Sequence, residues 1–241
     1  MSVYRQELRL RSSDVDIHRR LRLSTLFGLL QEASIAHTEA LGMGRDKTLD
    51  RGLLWVVTLQ RTEIARMPVY DEDVVLRSWP GRTMHVLFPR YYALDTAAGE
   101  PLLRASALWT LVDSGTRKFV FPEKFGVTIE AAATGDEIPI PSAPRSIPWT
   151  EERDFTVPFS YVDLNGHMNN TRYFDLAEDC LPAAAEGLPL RAVETEFSRE
   201  APFRAAFPLR WGREGDRYYF TGGEGGCYFR MSLTYGGAPE E

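Results

Sequence analysis

The chain repeats itself, and an internal repeat constrains the fold more tightly than any single motif, because each copy must build the same unit and bury the same face. Residues 15–32, VDIHRRLRLSTLFGLLQE, align with residues 162–179, VDLNGHMNNTRYFDLAED, at a constant offset of 147. Val15 and Asp16 meet Val162 and Asp163, Ile17 meets Leu164, and Leu21 meets Met168. Ser24 then meets Thr171, Phe27 meets Phe174, Leu29 meets Leu176, and Gln31–Glu32 meet Glu178–Asp179. The same offset sets Leu41 against Leu188.

Both copies read alike. A polar, extended stretch comes first, VYRQELRLRSSDVD and then RDFTVPFSYVDLNG. A helix follows, over 24–41 in the first copy and 171–186 in the second. Leu26, Leu29, Leu30, Ala33, Ala36, His37 and Ala40 recur at three- and four-residue steps, an apolar helical face. Ser24 is the expected cap at its start and Gly42 lies just past its end. In the second copy Asn170 or Thr171 is the expected cap, and Tyr173, Phe174, Ala177 and Leu181 share a face; Pro182 threatens the tail. Strand patterns come next: LLWVVTLQRTEIA, DVVLRSWPG, HVLFPRYYALD and LLRASALWTLVD, then AVETEFSR, AFPLRWGREG, DRYYFTGG and GCYFRMSLTY. The glycine run GGEGG at 222–226 reads as a hairpin turn between strands rather than a phosphate loop. A long apolar helix followed by a meander implies an α+β fold in which an antiparallel sheet wraps around the helix, twice over. Five prolines between 122 and 148 mark residues 122–150 as a linker. The expected organisation is therefore 1–121, linker, and 151–241, with the two sheets paired edge to edge or sharing an interface.

The formal net charge of −6 argues against a general nucleic-acid binder. No run approaches the roughly 18 apolar residues of a membrane span. The start, MSVYRQELRLRSSDVD, has no apolar h-region, so no signal or transit peptide is expected. Cys180 and Cys227 are the two cysteines; without a disulfide framework a reducing cytoplasm is the expected location. Neither metal-type spacing nor a cofactor motif appears, so no metal and no cofactor are expected. His37 and His85 (the latter in a strand-like stretch) read as packing or surface residues.

Function is expected where the copies diverge. The aspartate occurs twice, as Asp16 and Asp163, but Asn165 faces His18, His167 faces Arg20, and Asn169–Asn170 face Arg22–Leu23. The second copy thus gathers Asp163, Asn165, His167, Asn169 and Asn170 immediately before a helix, whose first N–H groups lack partners and can stabilise a developing oxyanion. Asp16 reads as a turn residue.

The string VDLNGHMNNTRYFD resembles the active-site loop of the acyl-ACP thioesterases, a family with two hot-dog folds. LLQEASIAHTEALG, LLWVVTLQRTEI and PVYDEDVVLRSWP are similar to that family's first hot dog. The resemblance implies tandem hot-dog domains and hydrolysis of fatty acyl thioesters on acyl carrier protein. It implies catalytic roles for Asp163, Asn165 and His167, and, through EFSREAP, for Glu200. Ala201 stands where many members have cysteine, which removes a cysteine nucleophile and leaves attack by water. Glu200 with Asp163 would then hold or activate that water, His167 would share the proton work or bind substrate, and Asn165 would fix the geometry. The N–H groups around Asn169, Asn170 and Thr171 would polarise the carbonyl. Which carboxylate is the base stays open, as do chain length and the choice between acyl carrier protein and CoA. The resemblance places chain selection in the first half, where Trp55, Trp79 and Trp109 could line a channel. An acidic carrier would need a local basic patch, for which Arg19, Arg20 and Arg22 are candidates. An acyl-CoA thioesterase, a hot-dog dehydratase and a non-catalytic acyl-binding module are the alternatives, and the molecule is expected as a monomer or homodimer.

Overall fold

A computed structural model describes residues 3–132, 134, 136–223 and 226–236. Ten strands form one antiparallel sheet in the order β1-β3-β4-β5-β2-β7-β10-β9-β8-β6. The first five are β1 (Tyr4–Arg9), β2 (Leu53–Ile64), β3 (Asp73–Pro80), β4 (Leu87–Thr96) and β5 (Pro101–Asp113). The second five are β6 (Glu151–Thr156), β7 (Leu190–Phe197), β8 (Ala206–Glu214), β9 (Arg217–Gly222) and β10 (Phe229–Tyr235). This is the tandem hot-dog arrangement, with the seam between β2 and β7. The extended stretches that open each copy are the two outer strands, β1 and β6.

The repeat is as visible in space as in sequence. Strands β1 and β6 start at Tyr4 and Glu151, and the one-turn 3-10 helices that follow span Ser12–Asp14 and Phe159–Tyr161, each pair 147 residues apart. After the helices the spacing drops to 133, as the starts of β3 at Asp73 and β8 at Ala206 show. The first copy spends the difference on the segment holding two 3-10 turns, Arg45–Lys47 and Leu49–Arg51. Leu41 and Leu188 therefore belong to differently built connections.

Helix α1 (Leu23–Ala40) matches its expected span. It buries Leu23, Leu26, Phe27, Leu30, Ala33, Ser34 and His37 against the sheet. Gly42 follows it with φ +75°, a left-handed turn that glycine adopts without strain. Ser24 lies inside the helix and makes no cap hydrogen bond. The long second helix is not formed: α2 (Arg172–Glu178) stops, and a single turn, α3 (Pro182–Ala185), follows. Proline disfavours helical backbone at the residue before it, and Leu181 is extended, with φ −109° and ψ 120°. Thr171 takes the cap position of α2, one of the two expected, but makes no side-chain cap hydrogen bond; Asn169 ties it instead, its Oδ1 accepting the Thr171 N–H at 2.9 Å. The paired residues Phe27 and Phe174 stack at 3.9 Å, joining α1 to α2.

Beyond a 3-10 turn at Pro122–Phe125, residues 127–150 have no regular structure among those described. Val127 and Ile129 nevertheless pack with Leu53, Phe88 and Leu111 in a second cluster. His85 sits in a turn between β3 and β4 rather than in a strand, with φ +55°. The tip of the GGEGG turn, Glu224 and Gly225, lies outside the described residues.

Candidate active site

The two divergent loops have one backbone design. Val15 bridges Leu21 as Val162 bridges Met168. Asp16 Oδ1 accepts the His18 N–H and Asp163 Oδ1 accepts the Asn165 N–H, both at 2.8 Å. The turn needs a left-handed residue, supplied by Arg19 (φ +62°) and by Gly166 (φ +82°). Each loop presents an aliphatic tip to solvent, Ile17 at 84% and Leu164 at 92% exposure.

Their side chains do opposite jobs. In the first loop Arg20 Nη1 donates to the carbonyls of Gly187 and Leu188 at 2.9 and 3.0 Å, and Arg20 Nη2 pairs with Asp16 at 3.3 Å. The His18 ring Nε2 lies 2.9 Å from the Ala185 carbonyl. This loop clasps the end of α3, so Asp16 and Arg20 serve structure, and Arg20 is not available to a surface basic patch.

In the second loop His167 Nε2 lies 3.4 Å from Glu200 Oε2. The other oxygen of Glu200 is 3.3 Å from Arg117 Nη1, contributed by the first half. Three features aim Glu200. Ser198 and Arg199 both donate to the Tyr228 carbonyl, the Ala201 carbonyl accepts the Met168 N–H at 2.8 Å, and His167 bridges Pro202. Arg117 ends a turn tied by Asp113, whose Oδ1 accepts from the Thr116 and Gly115 N–H groups. Those bonds hold the Asp113 carboxyl below its ordinary range. Arg117 has φ +58°, a conformation uncommon for a non-glycine residue. Glu200 is 40% exposed and so meets water, while His167 Nδ1 is buried without a hydrogen-bond partner among the described residues.

Asp163 and Asn169 spend their described side-chain bonds on the loop. Asn169 Oδ1 takes both the N–H and the hydroxyl of Thr171, and its carbonyl accepts the Arg172 N–H at 2.9 Å. Thr171 therefore cannot offer its N–H to a substrate without breaking its bond to Asn169; the Asn170 N–H has no described partner. Asn165 is exposed at the loop tip. The Asn170 and Thr171 side of the α2 head faces a narrow cleft shared with Phe27, Gln31, Val57, Gln60, Trp109 and Phe174.

The cysteines stay outside this chemistry. Cys180, at the break after α2, donates to the Leu176 carbonyl, and burial pushes its thiol up from the ordinary value. Cys227 bonds the Phe229 carbonyl at 2.9 Å. Ala201 is fully buried and holds the loop through its backbone.

Comparison with known proteins decides the ancestry. Residues 1–123 match the acyl-ACP thioesterase N-terminal domain, and residues 146–201 match the acyl-ACP thioesterase C-terminal domain. The chain belongs to the acyl-ACP thioesterase family. This acyl-ACP thioesterase family member is 25% identical over 214 residues to a chloroplastic palmitoyl-acyl carrier protein thioesterase of Cuphea hookeriana, covering 82% of this chain and 52% of that one. It is 24% identical to an Arabidopsis thaliana oleoyl-acyl carrier protein thioesterase over 82% of this chain and 59% of the other. The chain spans about half the length of the curated relatives it matches first. In fold it is similar to an acyl-ACP thioesterase from Bacteroides thetaiotaomicron, with a TM-score of 0.84 at 19% identity over 98% and 100% of the two chains. The 12:0-ACP thioesterase from Umbellularia californica superposes with a TM-score of 0.81 at 20% identity over 97% of each chain.

Proposed function

We propose that this family member hydrolyses fatty acyl thioesters carried on acyl carrier protein, with its reacting groups in the second half. The observation that carries the reading is the line Arg117–Glu200–His167 beside the Asp163 loop: a solvent-touching carboxylate held on one side by a guanidinium and meeting an imidazole on the other. Water is a poor nucleophile and needs a positioned base. In this reading Glu200 takes the proton as water attacks the thioester carbon, and His167 relays or orients. The C–S bond then breaks, giving free fatty acid and carrier thiol. The leaving thiolate, with a thiol pKa of about 8.5 by analogy with cysteine, needs little help from an acid. Asp163 holds the loop in shape and Asn165 contacts the carrier arm at its tip. The Asn170 N–H, with Thr171 beside it, polarises the carbonyl.

Residues 1–121 would hold the acyl chain, residues 151–241 would carry the chemistry, and 122–150 would join them. Trp55 and Trp109 line the cavity of the first half, whereas Trp79 is buried in the sheet and is dropped from the channel. Acyl carrier protein is the proposed partner. The fused pair of hot dogs lets a single chain suffice. Two free cysteines accord with a cytoplasmic, reducing setting, and no described helix is long and apolar enough to cross a membrane.

The test is thiol release from palmitoyl- and octanoyl-acyl carrier protein, with the matching CoA thioesters alongside. Asp163→Ala, His167→Ala and Glu200→Ala are expected to fold, and loss of the base should cost roughly two to four powers of ten in turnover. Normal turnover in both carboxylate variants would remove the assignment. Tight acyl binding with no release in wild type would leave a binding module.

A further inference from the structure

A cavity of about 260 Å³ opens in the first half between the last turns of α1, the segment around residues 43–49, and the adjoining ends of β3 and β4. Trp55, Phe88, Pro89, Trp109 and Ile129 make much of its wall apolar. One member of the wall does not belong to an apolar pocket. Arg90, on β4, is 4% exposed. A guanidinium stays protonated in proteins, and a buried charge is costly unless paired.

Arg90 has no described carboxylate partner. Its Nη1 donates to His37 Nδ1 at 3.0 Å and to Ser78 Oγ at 3.2 Å, and its Nη2 donates to Thr38 Oγ1 at 2.9 Å. A nitrogen that accepts from a guanidinium carries no proton of its own, so this imidazole is neutral. Three neutral acceptors leave the charge uncompensated and further N–H donors to spare. Other charges at the cavity do not answer it: Glu39 lines it but is exposed and has no described ion pair with Arg90, and Arg45 pairs with Asp50 at 2.9 Å. Burial is the dominant influence on the guanidinium, which it pushes down from its ordinary value.

The cavity is also placed to meet substrate. Trp109 forms part of its wall and part of the cleft at Asn170 and Thr171. The cleft at the head of α2 and the Arg90 cavity thus share the Trp109 indole as a common wall residue.

We propose that the cavity receives the far end of an acyl chain bearing a terminal carboxylate, which pairs with Arg90 while the thioester lies at the second-half loop. The substrate class is then the half-thioester of a long dicarboxylic acid, and this specificity rests on the thioesterase reading above. A methyl-ended chain would press hydrocarbon against the guanidinium and leave it unpaired, and sites built around a buried polar group discriminate against ligands that lack its partner.

The experiment compares kcat/KM for acyl carrier protein loaded with methyl-ended chains and with their ω-carboxy counterparts, from eight to sixteen carbons. Wild type is expected to favour the ω-carboxy chain by about tenfold or more at its best length, and Arg90→Met is expected to lower that ratio by the same factor. The wild-type ratio decides alone if the variant does not fold. A ratio at or below one at every length, with methyl-ended chains turned over, overturns this proposal and leaves the thioesterase reading standing. Failure of every thioester overturns both.

Discussion

Arg117 is the first-half residue on which the candidate site most depends, because it holds one oxygen of Glu200 and leaves the other facing His167. Arg117→Ala should release the carboxylate to solvent and lower kcat by about tenfold or more, with little change in melting temperature, since an exposed pair contributes little to stability. Arg117→Lys, which keeps the charge but not the planar fork, should recover only part of the loss. Steady-state kinetics of the two variants beside thermal melts separates a positioning role from a structural one. Glu178 sets a second residue-scale expectation. Burial, followed by the charges of Asp175 and Asp16, pushes its carboxyl up to about 7, against partial relief from Arg20 and Arg22. That lies above the ordinary glutamate value of 4.5, so the folded state favours the protonated form. Its contribution to stability is complete below about pH 4.5 and is lost as the pH rises through 7. Glu178→Gln should therefore be nearly neutral at pH 4 and stabilising by about 2–3 kcal/mol at pH 8. Denaturant melts of both proteins across that range check the sign.

Among the elements, α2 carries the sharpest lesson. Its apolar face was legible, and Tyr173, Phe174 and Ala177 are buried as the spacing implied. Its length was not, because a proline acts on the residue before it and the chain turned extended at Leu181. The short helix is tied to α1 through the Phe27–Phe174 stack. Phe174→Ala should cost about 3–5 kcal/mol, because it removes a fully buried ring and leaves a hole between α1 and α2. Urea titration reads the loss, and a cost under 1 kcal/mol would show that the helices are held elsewhere.

At the scale of the whole molecule the duplication explains the seam. Strands β2 and β7 pair so that Arg61 lies directly opposite Glu194. With the second copy 133 residues on, those two positions are each other's equivalents, so they straddle the pseudo-twofold axis. A symmetric dimer would set identical residues there, and like charges directly opposite repel. The fused chain places arginine against glutamate, with Nη1 and Oε1 3.3 Å apart and Arg217 also on Glu194. Arg61→Glu should destabilise the molecule by about 1–3 kcal/mol, more than Arg61→Ala, and Glu194→Arg added to it should restore part of the loss. Thermal melts of the set decide it.

The sequence by itself determined the two-copy α+β plan, nearly all the strands, the long first helix and the loop that gathers Asp163, Asn165 and His167. These are local or periodic properties, carried by residues two to seven positions apart or by an offset held through the first strand, loop and helix of each copy. Tertiary structure alone decided that Arg117 reaches Glu200, that Arg20 clasps α3, and that Arg90 lines a cavity with no described carboxylate paired to it. The first two join positions 83 to 168 residues apart, and the last depends on an ion-pair partner that the described residues do not supply. No along-chain pattern encodes them; they follow from how the two half-sheets meet at β2 and β7 and from which side chains that meeting deprives of water.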